Sequence, residues 1–308
     1  MSAIPASSIG KRVTVRLRDG DGFRDIVGVL QSPSSLTNRQ NELIDFSDEV
    51  VAIWREIQPP ADRAGKGAPL SLRILELEEL SNTTWPAHVE EQHGGWLYRK
   101  SNGITWRANS VLPRGKAPFG EPETSLEVEV TKVVEYYRST QNVPAFVIPL
   151  PTYAELDVFL ERNGWIANLK GQFLIKDISE KEIANTDVQI NDAPSTRWLA
   201  CQSDEKIKEI MQSYPAKYLE IRQGDEVVAT ARVATHGSWA LLTRLFVKDK
   251  YRARGFARKL MMSAEAIAKD CGATKISLQV DAANQAALAL YASLGYAVHH
   301  EYLYRILP

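Results

Sequence analysis

Between residue 10 and about residue 58, apolar positions come in short alternating runs. Val13, Val15 and Leu17 are separated by polar residues, Asp19-Gly20-Asp21-Gly22 reads as a turn, and Ile26 to Leu30 forms a second run. Asn41 to Phe46 and Glu49 to Trp54 have the length and composition of two further strands. Strands this short and dense predict a small β barrel over residues 1–58. Pro59-Pro-Ala-Asp-Arg-Ala-Gly-Lys-Gly-Ala-Pro69 then reads as a linker, assigned to 59–70.

The pattern then becomes mixed. Gly95 to Lys100 and Ile104 to Leu112 read as strands around a Ser101-Asn102-Gly103 turn. Leu126, Val130, Val133, Val134 and Tyr137 fall at helical spacing, Ala145 to Leu150 is a strand, and Tyr153 to Asn163 is a helix closed by Gly164. The order recurs further on. Glu226 to Thr235 and Trp239 to Val247 are strands. A helix from about Arg254 to Asp270 has Leu260, Met261, Ala264, Ile267 and Ala268 on its apolar face. Lys275 to Val280 is a strand, Gln285 to Leu294 a helix ended by Gly295, and Tyr296 to Ile306 a final strand or hairpin. A shift of about 131 residues superimposes the two stretches, setting Val130 on Met261, Val147 on Leu278 and Gly164 on Gly295. This predicts two copies of one unit, over 71–187 and 188–308.

Composition narrows the function. The 308 residues carry a formal net charge of -1, which argues against nucleic acid as a partner, since phosphate-backbone binders carry a basic excess. Cys201 and Cys271, the two cysteines, form no metal-ligand or disulfide pattern, so no metal is expected. Without a basic-then-apolar leader or an apolar run of membrane length, the chain is expected to be cytoplasmic with no membrane partner.

The chemistry is concentrated after Val247. Arg252-Ala-Arg-Gly255-Phe-Ala257 joins a strand to a helix. The first N–H groups of a helix have no intrahelical partner and lie at the positive end of its dipole, so they suit a pyrophosphate. Gly255 lets the backbone approach closely, and Arg252, Arg254, Arg258 and Lys259 add positive charge. A basic loop capping a surface helix would read the same way in isolation. Thirty-two residues after Arg252 follows Asn284-Gln-Ala-Ala-Leu-Ala-Leu290-Tyr291-Ala-Ser-Leu-Gly295-Tyr296.

The two stretches together resemble the acyl-CoA signature of GNAT-superfamily N-acetyltransferases, and the resemblance covers roughly Ala193 to Pro308. Gly94-Gly-Trp-Leu-Tyr-Arg99, Arg107-Ala-Asn-Ser-Val111 and His299-His-Glu-Tyr-Leu-Tyr-Arg305 resemble a bacterial subfamily that joins an N-terminal SH3-like barrel to a GNAT region. The implied fold is α/β (α+β), with tandem GNAT-like mixed sheets flanked by helices behind a small SH3-like β barrel. The implied co-substrate is acetyl-CoA. Arg252, Ala253, Arg254, Gly255, Phe256, Ala257 and Arg258 would hold its pyrophosphate. The strand edge at Leu245, Phe246 and Val247 would pair with pantetheine, and one N–H there would polarise the thioester carbonyl. Asn284 would bond pantetheine or an ordered water, and Tyr291 would be the general acid. Tyr291 also suits the core face of an amphipathic helix.

The acceptor is expected to be a primary amine, on a small molecule or a protein, that attacks the thioester directly in a ternary complex on a monomer or homodimer. A glutamate that many family members carry before the fourth strand's Leu-x-Val is Thr243 here, which cannot act as a base. Proton removal is then expected through water or through His299, His300 or Glu301, with His299 and Glu301 on one strand face and His300 on the other. The missing glutamate also leaves a second reading, a non-enzymatic acyl-CoA sensor. In the middle copy, Glu121 and Glu123 stand in the loop position and Leu160 stands at Tyr291, which predicts a copy that binds no CoA.

Overall fold

The computed structural model describes residues 4–20, 22–38, 42–47, 50–56, 69–179, 184–202 and 207–308. The chain divides into two compact units, Met1–Ala68 and Pro69–Pro308. Most of the expected linker, like Asp21 of the first turn, lies outside the described residues.

The first unit is one antiparallel sheet of β1 (Arg12–Asp19), β2 (Gly22–Ser32), β3 (Ser35–Thr37), β4 (Leu43–Asp45) and β5 (Val51–Glu56), in the order β4-β3-β2-β1-β5. No pairing closes β4 onto β5 among the described residues. Val13, Val15 and Leu17 turn inward with Ile26 and Leu30, as the alternation requires. Arg16 on the opposite face is bound by Asp25 across the ladder at 2.7 Å, so it is not an unpaired basic group.

The second unit begins with α1 (Leu70–Thr84) and a small sheet of β6 (Val89–His93), β7 (Trp96–Lys100) and β8 (Leu112–Pro113). Then come α2 (Leu126–Arg138), β9 (Ala145–Leu150), α3 (Ala154–Arg162) and β10 (Ile166–Asp177). After β11 (Val188–Asn191), α4 (Thr196–Gln202) and α5 (Lys208–Gln212) come β12 (Lys217–Gln223), β13 (Glu226–His236) and β14 (Trp239–Val247). The chain ends with α6 (Phe256–Asp270), β15 (Lys275–Asp281), α7 (Gln285–Ser293) and β16 (Ala297–Ile306).

One eight-stranded sheet organises this unit, in the order β11-β12-β13-β14-β15-β10-β16-β9. All its ladders are antiparallel except β14–β15. The series α2, β9, α3, β10 and α6, β15, α7, β16 have the same order, and α3 and α7 are of equal length about 131 residues apart. β10 inserts between β15 and β16, while β16 pairs on its other side with β9. Each half therefore places its last strand beside the other half's penultimate one. Gly171 permits this: a Cβ there would lie 2.3 Å from the Tyr302 ring. The apolar stripe of α6 expected from the sequence is buried against β12, β13 and β14, and Val130, Val133 and Tyr137 of α2 are buried in a second cluster.

The expected hairpin at Ser101-Asn102-Gly103 is not formed. The turn exists, with Asn102 and Gly103 at positive φ, but residues 104–111 do not return as a strand. The Asn109 side chain accepts from the amides of Ser101 and Gly103 at 2.8 and 3.0 Å, so it closes a loop where a ladder would start. The hairpin lies one strand earlier, where Gly94-Gly95 joins His93 to its partner Trp96. A Cβ on Gly95 would meet the Gly120 carbonyl oxygen at 2.2 Å.

Candidate active site

The site forms where β14 and β15 part. Their parallel ladder runs from Trp239–Lys275 to Leu242–Leu278 and stops. Beyond it β14 keeps its bonds to β13 but carries one extra residue, since Arg232 faces Thr243 while Thr230 faces Phe246. Such a bulge bends its strand and leaves backbone groups outside the ladder. Arg244 lies in it at φ 56, and Gln202 at the end of α4 holds it by accepting from Arg244 Nε at 2.8 Å and donating to the Arg244 carbonyl at 3.0 Å. From Thr243 to Val247, the edge of β14 turned toward β15 has no strand partner among the described residues.

The loop after β14 is tied down from one side. Glu226 accepts from Lys248 and Lys250 and from the Tyr251 hydroxyl, each at 2.9 Å, and these donors hold its carboxyl down to about 2. Arg252 donates to the Val247 carbonyl, and Ala253 and Gly255 take positive φ of 58 and 81. Gly255 is the N-cap of α6. No side chain caps that helix, and its first turn carries no carboxylate. Its first N–H groups thus have no side-chain acceptor among the described residues, whereas on α7 the Asn284 side chain fills this role by accepting from the Ala287 amide at 3.1 Å.

A groove of about 630 Å³ runs along this surface. Every residue expected from the sequence at the site lines it except Arg254, whose guanidinium lies over the Tyr251 ring instead. Arg258 donates to Ser293 Oγ at 2.6 Å, joining the first turn of α6 to the end of α7. Tyr291 is 6% exposed, and burial pushes its phenol up to about 12. Its hydroxyl has no hydrogen-bond partner among the described residues. Tyr291 and Asn284 also line an adjoining cavity of about 470 Å³ with Arg244, Gln279 and Asp281. That cavity shares Leu242, Thr243, Arg244 and Gln279 with a third, of about 240 Å³, whose far wall carries Trp85, Trp106 and Arg107 from the first half of the unit.

Thr243 is buried with its hydroxyl unpartnered, beside Arg232 on β13. None of His299, His300 and Glu301 lines these cavities. The strand-face assignment for the two histidines is also corrected. A bulge in the β10–β16 ladder between Phe173 and Leu174 brings their rings together, with the Nδ1 atoms 2.9 Å apart. His300 is bound to the buried Glu78, and burial holds His299 down to about 4. Gln202, Arg244 and Trp85 are site-wall residues that no sequence motif marks, and Arg107, which opens the Arg107-Ala-Asn-Ser-Val111 stretch, was not expected at the site. Cys201 is a buried thiol and Cys271 an exposed one, both free.

Comparison with known proteins gives one family match, to the family described as "Probable histone acetyltransferase Rv0428c C-terminal", over residues 72–305. The N-acetyltransferase YobR of Bacillus subtilis (strain 168) is 24% identical over 250 residues, covering 76% of this chain and 98% of that one. A GCN5-related N-acetyltransferase from Kribbella flavida has the same fold at a TM-score of 0.60 and 15% identity, covering 76% of this chain and 95% of that one. A tandem GNAT protein from the clavulanic acid biosynthesis pathway matches at a TM-score of 0.51 and 11% identity, over 76% and 87% of the two chains. No described helix is long and apolar enough to cross a membrane.

Proposed function

We propose, from the premise that this chain belongs to the family of the Rv0428c C-terminal acetyltransferase domain and is an N-acetyltransferase of the GNAT type, that it transfers acetyl from acetyl-CoA to a primary amine by direct attack. One observation carries the reading. A single groove brings together the uncapped N-terminus of α6, the unpaired edge of β14 and the Tyr291 side chain.

Pyrophosphate would accept from the first amides of α6 around Gly255, and pantetheine would add to the β14 edge at Leu245, Phe246 and Val247. An amide of the bulge would polarise the thioester carbonyl. The neutral amine attacks the carbonyl carbon, a C–N bond forms and the C–S bond breaks. The Tyr291 hydroxyl would donate a hydrogen bond to the departing thiolate, which takes its proton from water. A phenol held near 12 stays protonated at neutral pH but is a weak acid toward a thiol of pKa about 8.5, so it acts chiefly by a hydrogen bond that strengthens as negative charge develops. The amine's proton leaves through water, since Thr243 is no base and the His299–His300 pair lies outside the cavities.

We further read residues 71–187 as a degenerate GNAT-like copy of 188–308, and 1–58 as a cytoplasmic enzyme's SH3-like appendage. The equal order of elements and the exchanged strands β10 and β16 support the first reading. In the 71–187 copy the loop before α2 packs on its own Gly94-Gly95 turn, α2 opens with Glu127 and Glu129, and Leu160 is fully buried. The continuous antiparallel order of five strands supports the second. Thiol release from acetyl-CoA with an amine panel tests the activity. Absence of release with every amine, despite acetyl-CoA binding, would overturn it.

A further inference from the structure

The cavity lined by Trp85, Trp106 and Arg107 has an unusual charge balance. Its wall carries Arg107 and Arg244 and no carboxylate. Behind it Arg232 is fully buried. Its Nη2 donates to the carbonyls of Thr84, Met211 and Tyr214 at 3.1 to 3.3 Å, while Nε and Nη1 have no partner. Neither Arg107 nor Arg232 forms an ion pair with a carboxylate among the described residues. Both guanidinium groups lie near the Trp85 ring, at 5.8 and 5.4 Å from its centroid. On the cavity-lining residues themselves, Trp85 Nε1, Arg107 Nε and Thr243 Oγ1 are buried polar atoms without a protein partner. Arg107 Nη2 donates to Gln279 Oε1, which leaves the guanidinium anchored.

Arginine does not shed its charge, so the half-buried Arg107 and the fully buried Arg232 keep a positive field beside this cavity. Buried donors without partners are costly, and they mark this wall as polar rather than packed apolar core. Asp281 is the one carboxylate on the neighbouring cavity, which Tyr291 also lines. The Trp85–Arg107 cavity is therefore lined by arginine without carboxylate, while the adjoining cavity that holds Tyr291 carries one carboxylate. An acceptor whose anionic end enters first would present its amine toward the thioester. A second ammonium, as on a polyamine, would have to enter a positive wall.

We infer that the acceptor is a small amine carrying an anionic group, most simply an α-amino acid, whose carboxylate is received by the Trp85–Arg107–Arg244 cavity. This rests on the transferase reading above and narrows its substrate class. A guanidinium matches a carboxylate or a phosphate through two parallel hydrogen bonds. The 240 Å³ of the cavity suits one such group and a short side chain among Trp106, Tyr302 and Tyr304.

The test uses the full chain with acetyl-CoA and a panel of α-amino acids, each beside its own amide, with an aminoalkyl phosphate, a diamine and a lysine-rich peptide. Thiol release gives kcat/KM, and calorimetry on the CoA-loaded protein gives acceptor binding independent of turnover. The free carboxylate should exceed its amide by about tenfold or more, the scale of a hydrogen bond to a charged group. A higher value for the aminoalkyl phosphate would identify the anion as phosphate. Arg107→Met should collapse the preference to near unity and Arg107→Lys should retain part of it, with acetyl-CoA binding as the check that each variant is folded. If amides, diamine or peptide are acetylated as well as the anionic amines, the transferase reading stands and this inference falls. If no amine binds or releases thiol, both fall.

Discussion

Leu242 and Leu278 are the last residues paired across the parallel β14–β15 ladder. Everything assigned to the reaction lies just beyond them: the bulge at Arg244, the open β14 edge, and Tyr291 on α7. A parallel pair that stops while its strands continue leaves a wedge inside an otherwise continuous sheet. In that wedge a substrate chain can bond to backbone amides without displacing a strand.

Gly255 tests the pyrophosphate cradle. Its φ of 81 is a left-handed position, and a Cβ there would meet nothing within 4 Å. Gly255→Ala should therefore cost about 1 kcal/mol of backbone strain and weaken CoA only mildly. Gly255→Glu places a carboxylate at the uncapped helix end and should abolish binding. Calorimetry should give one CoA per chain, and two equivalent sites or an unaffected Glu variant would refute the assignment.

Tyr291 tests the acid. Tyr291→Phe should lower turnover by about 10²-fold or more while leaving acetyl-CoA affinity near that of the unmodified chain. Because burial raises the phenol to about 12, it stays protonated across pH 6 to 9, and any rise of rate there reports loss of the amine's proton. The Phe variant should keep the shape of that profile at a lower level. Unchanged turnover would return Tyr291 to the core.

Glu226 tests the loop. Its carboxyl lies near 2 against an ordinary 4.5, lowered by Lys248, then Lys250 and Tyr251. A depressed acid stabilises the fold above its unfolded value and loses that contribution as pH falls from about 4.5 through about 2. The loop should thus hold its form at pH 5 and loosen below 4. At neutral pH, Glu226→Gln should weaken acetyl-CoA a few-fold, less so at high salt, as expected for exposed ion pairs. An affinity indifferent to both changes would show that the loop is held by its backbone alone.

The sequence was most legible where local rules suffice. The α6 stripe from Leu260 to Ala268, the Gly255 loop and Tyr291 at one end of a short helix all follow from period and punctuation. The Ser101-Asn102-Gly103 turn was visible, but the strand expected after it was not formed, because Asn109 closes the loop with its side chain. Gly94-Gly95 was the better hairpin signal. Trp85, Arg107 and Gln202 reach the site from elements more than 40 residues away in sequence; nothing local marks Trp85 or Gln202, and the stretch that begins at Arg107 gave no sign of which cavity it would line. Arg254 belonged to the motif yet points to Tyr251, since a basic run fixes charge but not direction.

The insertion of β10 between β15 and β16 sets the sharpest expectation for truncation. Residues 69–308 hold the whole eight-stranded sheet, and the division of the chain falls at Ala68. Deleting 1–68 should leave a folded chain that binds one acetyl-CoA with unaltered affinity. A segment 191–308 is another matter. It contains every residue proposed for CoA but loses β10, which bonds β15 from Gly171 to Asp177 and β16 from Ile166 to Ile175. It would carry two unpaired strand edges and expose Tyr302, Leu303 and Tyr304, all buried in the full chain. It would also lack Trp85 and Arg107 of the acceptor wall. Such a segment should aggregate, or fold only with residues 69–187 supplied in trans. If 191–308 proves soluble and acetylates the native acceptor at the full-length rate, the first half of the unit contributes neither fold nor substrate contacts.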